Sequence, residues 1–167
     1  MDNKAKHNFI IRELEEGDGE LINEFFDSMG GESRALFNRR DYNRRGALKY
    51  SRCRDKTRRY YAFISEGRLA GYVFFLDFHT AVPELGLAVR DELAGQGLGG
   101  ELMSFAIEKA RSAGAGGILL TTHTANIRAQ ALYERFGFVC QGITKNGTEL
   151  LYILRFKNEK SLDTDVG

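Results

Sequence analysis

A mixed α/β fold, one sheet with helices on its faces, is predicted by three features of this chain. Short runs rich in aromatic and β-branched residues alternate with stretches of helical period, in the order β-αα-βββ-α-β-α-ββ. No internal repeat or low-complexity linker interrupts that order, so residues 1–167 are expected to form one domain with a core over about 9–156. An apolar strand, a glycine-rich loop and a helix follow one another over residues 84–102, an arrangement that aims backbone N–H groups at one point.

The elements follow in turn. Residues 9–14 read as a first strand. Asp18 caps a helix from Gly19 to about Met29, whose Leu21, Ile22, Phe25 and Phe26 keep helical spacing, and Gly30 and Gly31 break it. Ser33 caps a second helical stretch, and the arginine-rich segment that follows shows no strand period as far as Cys53. Residues 60–64 and 69–76 are strands joined by a turn containing Gly67, and 82–89 is the next. A helix from the glycine loop to about Ala113 leads to a short buried strand at 118–122. A last helix, 126–136, ends at Gly137, and strands at 138–141 and 148–156 flank a turn at Asn146 and Gly147. The polar tail from Lys157 is expected to fray.

Composition narrows the class of protein. The N-terminus lacks the apolar stretch of a signal peptide, and the longest apolar run, 69–76, is far short of the ~20 residues that span a bilayer. Cys53 and Cys140 suggest neither a disulfide framework nor a metal cluster, and Cys140 reads as a buried apolar residue. A soluble, cytoplasmic domain without metal is the expectation. The net charge of +1 hides an asymmetry: residues 39–59 hold ten basic side chains (Arg39, Arg40, Arg44 and Arg45 among them) against Asp41 and Asp55. That surface can recruit an acidic acceptor. Its competing use is nucleic-acid binding, with Tyr42, Tyr50, Tyr60 and Tyr61 as stacking partners, which the acidic remainder of the chain argues against.

Gly95, Gly97 and Gly100 satisfy the G-x-G-x-x-G spacing of a dinucleotide site. A nicotinamide cofactor also needs an acidic residue near the end of the following strand, and none stands between Arg111 and Tyr133. The Gly-Lys-Ser/Thr of a nucleotide-triphosphate loop is absent too. On the last helix Asn126, Ala129 and Tyr133 fall at i, i+3 and i+7 and share one face, so an amide, a small gap and a phenol lie in line. That face suits a long, thin ligand.

These two segments resemble the GNAT superfamily of N-acetyltransferases, whose members carry Gln/Arg-x-x-Gly-x-Gly/Ala after a central strand and then Asn-x-x-Ala-x-x-Leu-Tyr ending in Gly-Phe. Gly97 and Gly99 match the first motif; Asn126, Ala129, Leu132, Tyr133, Gly137 and Phe138 match the second. The resemblance implies a twisted, mostly antiparallel sheet with helices on both faces. It implies acetyl-CoA as cosubstrate, its pantetheine arm beside the backbone of Leu87, Ala88 and Val89. The pyrophosphate would lie in Ala94, Gly95, Gln96, Gly97, Leu98, Gly99 and Gly100, with Asn126 and Ala129 touching the arm. An amine would attack the thioester directly, through a tetrahedral intermediate whose oxyanion faces an N–H near Val89. Tyr133 would protonate the departing sulfur and Glu84 would serve as base; neither His79 nor His123 is placed near the thioester by the sequence. Two positions depart from the family pattern: Ala94 stands where Gln or Arg is usual, and Asp91 where proline is common. Ala94 implies weaker cofactor binding. A non-catalytic acyl-CoA-binding module on the same fold remains the alternative. A homodimer is compatible with the sequence, which does not specify one.

Overall fold

The computed structural model describes residues 8–37 and 42–157, with backbone alone at Phe37, Tyr42 and Asn43. Arg39, Arg40, Asp41, the residues before Asn8 and the tail beyond Lys157 lie outside the described residues. The elements are β1 (Ile10–Glu13), α1 (Gly19–Asp27), α2 (Gly31–Phe37), α3 (Tyr42–Arg52), β2 (Arg59–Ser65), β3 (Arg68–Leu76), β4 (Glu84–Val89), a 3-10 turn (Asp91–Leu93), α4 (Leu98–Ser112), β5 (Gly117–His123), α5 (Ile127–Arg135), β6 (Val139–Ile143) and β7 (Glu149–Arg155). The seven strands form one sheet in the order β1-β2-β3-β4-β5-β7-β6. Every neighbouring pair is antiparallel except β4 with β5.

Each face of the sheet has its own core, because successive strand side chains alternate between faces. On one side Phe63, Val73, Phe75, Leu85, Ile118, Leu120 and Tyr152 pack against Leu98, Leu102, Met103 and Ala106 of α4. On the other, Ala62, Ile64, Tyr72 and Ala88 meet Ile22, Phe25 and Phe26 of α1 and Ala47 and Tyr50 of α3. The β2–β3 hairpin turns at Glu66 (φ 51°) and Gly67 (φ 73°). Positive φ at both central residues is the twist-matched turn for a two-residue loop.

Several expectations are corrected. The arginine-rich segment is a third helix: Ala47, Tyr50 and Ser51 are buried on its inner face while Arg45, Lys49 and Arg52 point outward. That burial also removes three of the four stacking partners of a nucleic-acid site, since Tyr50, Tyr60 and Tyr61 are core residues; the Tyr42 side chain lies outside the described residues. Asp18 does sit at the N-terminus of α1, but its side chain does not cap the helix. Its carboxylate accepts two hydrogen bonds from Arg12, at 2.7 and 2.8 Å, and one from the Glu15 amide. A buried carboxylate gains more from a bidentate guanidinium than from one amide. Ser33 lies inside α2, not at its cap. Cys140 is exposed, because β6 is an edge strand that no helix covers.

Candidate active site

The backbone of β4 defines the site. The Arg90 amide donates to the Ala70 carbonyl at 2.8 Å, so positions 84, 86 and 88 turn their backbone groups toward β3. The Leu119 amide donates to Pro83 at 3.1 Å, so positions 85, 87 and 89 turn theirs toward β5. Pairing between β4 and β5 is confined, among the described residues, to the level of Glu84 opposite Leu119. Beyond it the strands part, and the backbone of Leu87 and Val89 faces a cleft of about 880 Å³. Two strands that splay in this way leave N–H and C=O groups for a ligand to satisfy.

The loop after β4 closes one end of the cleft. Gly95 and Gly97 hold φ of 78° and 90°, a region costly to any residue with a β-carbon. A β-carbon built on either meets nothing within 4 Å, so the space above the loop is open. The Gly100 and Glu101 amides donate to the Gly97 carbonyl at 3.1 and 3.3 Å, while the Leu98 and Gly99 amides precede the first intrahelical bond at the positive end of the helix dipole. Ala94, Gly95, Gly97, Gly99 and Gly100 line the cleft. Gln96 and Leu98 do not: the Gln96 side-chain amide donates back to the Glu92 carbonyl at 2.9 Å, and Leu98 is buried in the core.

Helix α5 forms the opposite wall, with Asn126, Ala129, Leu132, Tyr133 and Arg135 all on the cleft. Asn126 is a true N-cap, its Oδ1 accepting from the Ala129 amide at 3.2 Å, which leaves its NH₂ group for other use. Tyr133 is buried against Phe138 and, edge to face, Tyr152. Burial pushes its phenol up to about 12, and a hydrogen bond with Thr122 offsets part of that rise. The hydroxyl therefore stays protonated across the whole physiological range.

Alternation places Glu84 on the other face of the sheet, half-buried, beside Phe74, Leu76, Thr121, His123 and Glu149 on the same cleft. His123 was not placed by its sequence context. Its position follows from β5, where Ile118, Leu120 and Thr122 face α4, so Leu119, Thr121 and His123 face away. The Ala125 amide donates to His123 Nδ1 at 3.0 Å, which puts the proton of the neutral ring on Nε2. His79 packs against Phe78 and Arg59, away from the cleft lining.

Glu32, Ser33 and Leu36 of α2 complete the wall on the Glu84 side. Asp91, the departure from the family proline, holds that helix. Its carboxylate accepts from the Gly30 amide at 2.7 Å and from the Ser33 hydroxyl at 2.6 Å, joining α2 to the turn that leads into the glycine loop. A helix of seven residues is not stable by itself. Asp91→Ala is accordingly expected to speed amide hydrogen exchange across residues 30–37 while leaving exchange in α4 unchanged. Equal protection in both proteins would show that the carboxylate does not hold α2.

Among the described residues no group of His, Cys, Asp or Glu is arranged to hold a metal ion, and no helix is long and apolar enough to cross a membrane. Comparison with known proteins agrees with this geometry. The acetyltransferase (GNAT) family matches residues 20–138. A Bacillus subtilis (strain 168) protein, provisionally named a ribosomal protein bS18 alanine N-acetyltransferase, is 32% identical over 87 residues, 52% of this chain and 58% of that protein. This chain thus matches little more than half the length of that relative. The GNAT domain of S. lividans PAT superposes with a TM-score of 0.76 at 17% identity, covering 89% of this chain and 90% of that one. A Salmonella typhimurium structure, provisionally described as an acetyltransferase and solved with its cofactor acetyl-CoA, gives a TM-score of 0.72 at 20% identity, covering 93% and 98%. At these identities the solved structures establish the fold.

Proposed function

The chain belongs to the GNAT family of acetyltransferases, and from that premise we propose that it transfers an acetyl group from acetyl-CoA to a primary amine. The observation that carries this reading is the parting of β4 from β5 in front of the α4 N-terminus, with Tyr133 in the wall between them. The cleft suits the cosubstrate in three respects. The open space above Gly95 and Gly97 admits a pyrophosphate. The outward-facing backbone of Leu87 and Val89 suits the amides of a pantetheine arm, and Asn126 and Ala129 leave a shallow gap beside it.

Acetyl-CoA supplies an activated acyl thioester. The residues of this chain supply the rest. Glu84 takes a proton from the incoming ammonium, directly or through water, from the face of the sheet opposite α4. The Val89 N–H faces the acyl oxygen as it gains charge. Tyr133 gives its proton to the sulfur as the carbon–sulfur bond breaks and the carbon–nitrogen bond forms. Its raised pKa keeps the phenol protonated, so that it has a proton to give and is not available as a base at neutral pH. The Bacillus subtilis relative's name makes the α-amine of an alanine-terminated peptide the first acceptor to test.

Thermal unfolding tests the cosubstrate. With acetyl-CoA or CoA at 100 times the dissociation constant, stability is expected to rise by roughly 2.7 kcal/mol, while NAD and ATP leave it unchanged. No shift with either thioester or thiol, in folded protein, would sink the proposal. A shift without transfer to any amine would favour the non-catalytic acyl-CoA-binding module.

A further inference from the structure

Arg135 has a position that its own helix does not explain. One guanidinium nitrogen lies 3.4 Å from where a β-carbon on Gly100 would stand, which puts the charge over the first turn of α4. That turn also holds the Leu98 and Gly99 amides, which precede the first intrahelical bond, from Gly100 to the Gly97 carbonyl. Arg135 and Gly100 both line the cleft, so the guanidinium and the amides converge on one volume. Among the described residues no carboxylate forms an ion pair with Arg135, whose recorded contact is the ring of its neighbour Phe136. A long cation left without a carboxylate beside a helix N-terminus is an anion-binding arrangement.

Across the same turn, Ala94 has an extended backbone (φ −63°, ψ 140°) that admits any side chain, yet it contributes only a methyl group to the cleft. We infer that Arg135, from α5, supplies the side-chain contact to the pyrophosphate that the loop itself lacks at position 94. Cofactor binding is then not weakened by Ala94; the cation has moved to the opposite wall. The inference rests on the acetyl-CoA reading. It adds a phosphate ligand reached from the helix that also carries Tyr133, so phosphate binding and orientation of the acid share one rigid element.

Calorimetric titration of CoA, dephospho-CoA and pantetheine tests it on wild type, Arg135→Ala, Arg135→Lys and the double variant Arg135→Ala/Ala94→Arg. Arg135→Ala is expected to weaken CoA and dephospho-CoA alike, by about tenfold, as for loss of a charge-assisted hydrogen bond at an exposed site, and to leave pantetheine unchanged. Arg135→Lys should retain most of the affinity, and the double variant should recover most of the loss. CoA binding by Arg135→Ala within twofold of wild type would overturn the assignment. So would an equal loss with pantetheine, a loss confined to CoA and therefore to its ribose phosphate, or a double variant no better than Arg135→Ala. Wild-type protein that binds neither CoA nor dephospho-CoA would remove the acetyl-CoA reading along with it.

Discussion

Tyr133→Phe is expected to lower kcat by about 100-fold or more while changing the dissociation constant for CoA less than threefold, the range for removing a positioned general acid. The substitution is nearly silent structurally: phenylalanine keeps the ring packing on Phe138 and Tyr152 and loses only the hydroxyl and its bond with Thr122. Tyr152 cannot take over, because its hydroxyl already donates to Glu134 at 3.2 Å. The pH dependence separates proton donation from mere positioning. A thiol leaving group resembles cysteine, with a pKa of about 8.5, and above that value the departing thiolate no longer needs a proton. The deficit of the phenylalanine enzyme should therefore shrink as pH rises from 7 toward 10, where wild-type Tyr133, held near 12, is still protonated. Glu84→Gln should behave in the same sense but over a different range, its deficit greatest where the amine is still charged and shrinking as pH approaches the amine's own pKa. A Tyr133→Phe deficit that is the same at every pH would mean that the phenol orients the ligand and transfers no proton.

The parts of the site legible in the sequence are those fixed by local backbone chemistry. Gly95 and Gly97 need positive φ, and the spacing of Asn126, Ala129 and Tyr133 follows from helix geometry alone, so one sequence suffices to place them on their elements. The cleft is different, because it exists only where two strands stop pairing. Nothing in residues 84–89 or 117–123 announces that β4 and β5 separate after one level, since loss of pairing depends on what lies between them and not on either strand's own propensity. His123 escaped for a related reason: its face is set by register against α4, and a one-residue slip would reverse it. Asp91 and Arg90 were also beyond reach. Their partners, Glu24, Gly30 and Ser33, lie more than fifty residues away, so neither contact can be read from the residues beside them. The helix α3 was closer to legible. Ala47, Tyr50 and Ser51 keep helical spacing, but Arg44, Arg45, Lys49 and Arg52 crowd the same eleven residues and mask a narrow buried stripe.

Arg90 carries the largest expected effect on stability. Only 3% exposed, it closes β4 against α1: its Nε donates to the Leu69 carbonyl at 2.9 Å, one terminal nitrogen to Ser28 at 3.1 Å and to Glu24 at 2.9 Å, and the other to the second Glu24 oxygen. The guanidinium also lies 5.6 Å from the centre of the Phe25 ring. Arg90→Met keeps most of the packing volume and removes every donor. The Leu69 carbonyl then loses its side-chain donor in the interior, whereas Glu24, 43% exposed, regains water and keeps Arg68 at 3.2 Å. A fully buried pair would cost 3–5 kcal/mol to break; with one partner exposed and screened, about 2–3 kcal/mol is expected. The hydrogen bond from Arg90, the largest cause, holds the Glu24 carboxyl below its ordinary value, with Arg68 contributing less. The sign follows from linkage: a lowered carboxyl pKa gives stability that is present above the unfolded value of about 4.3 and is lost as pH falls through the folded value. Urea unfolding should thus separate wild type from Arg90→Met most widely near pH 7, with the gap narrowing below about pH 4 as Glu24 takes up its proton. A gap of constant size from pH 7 to pH 3 would assign the whole cost to the Leu69 carbonyl and the lost packing, and would leave the ion pair with no part in holding β4 to α1.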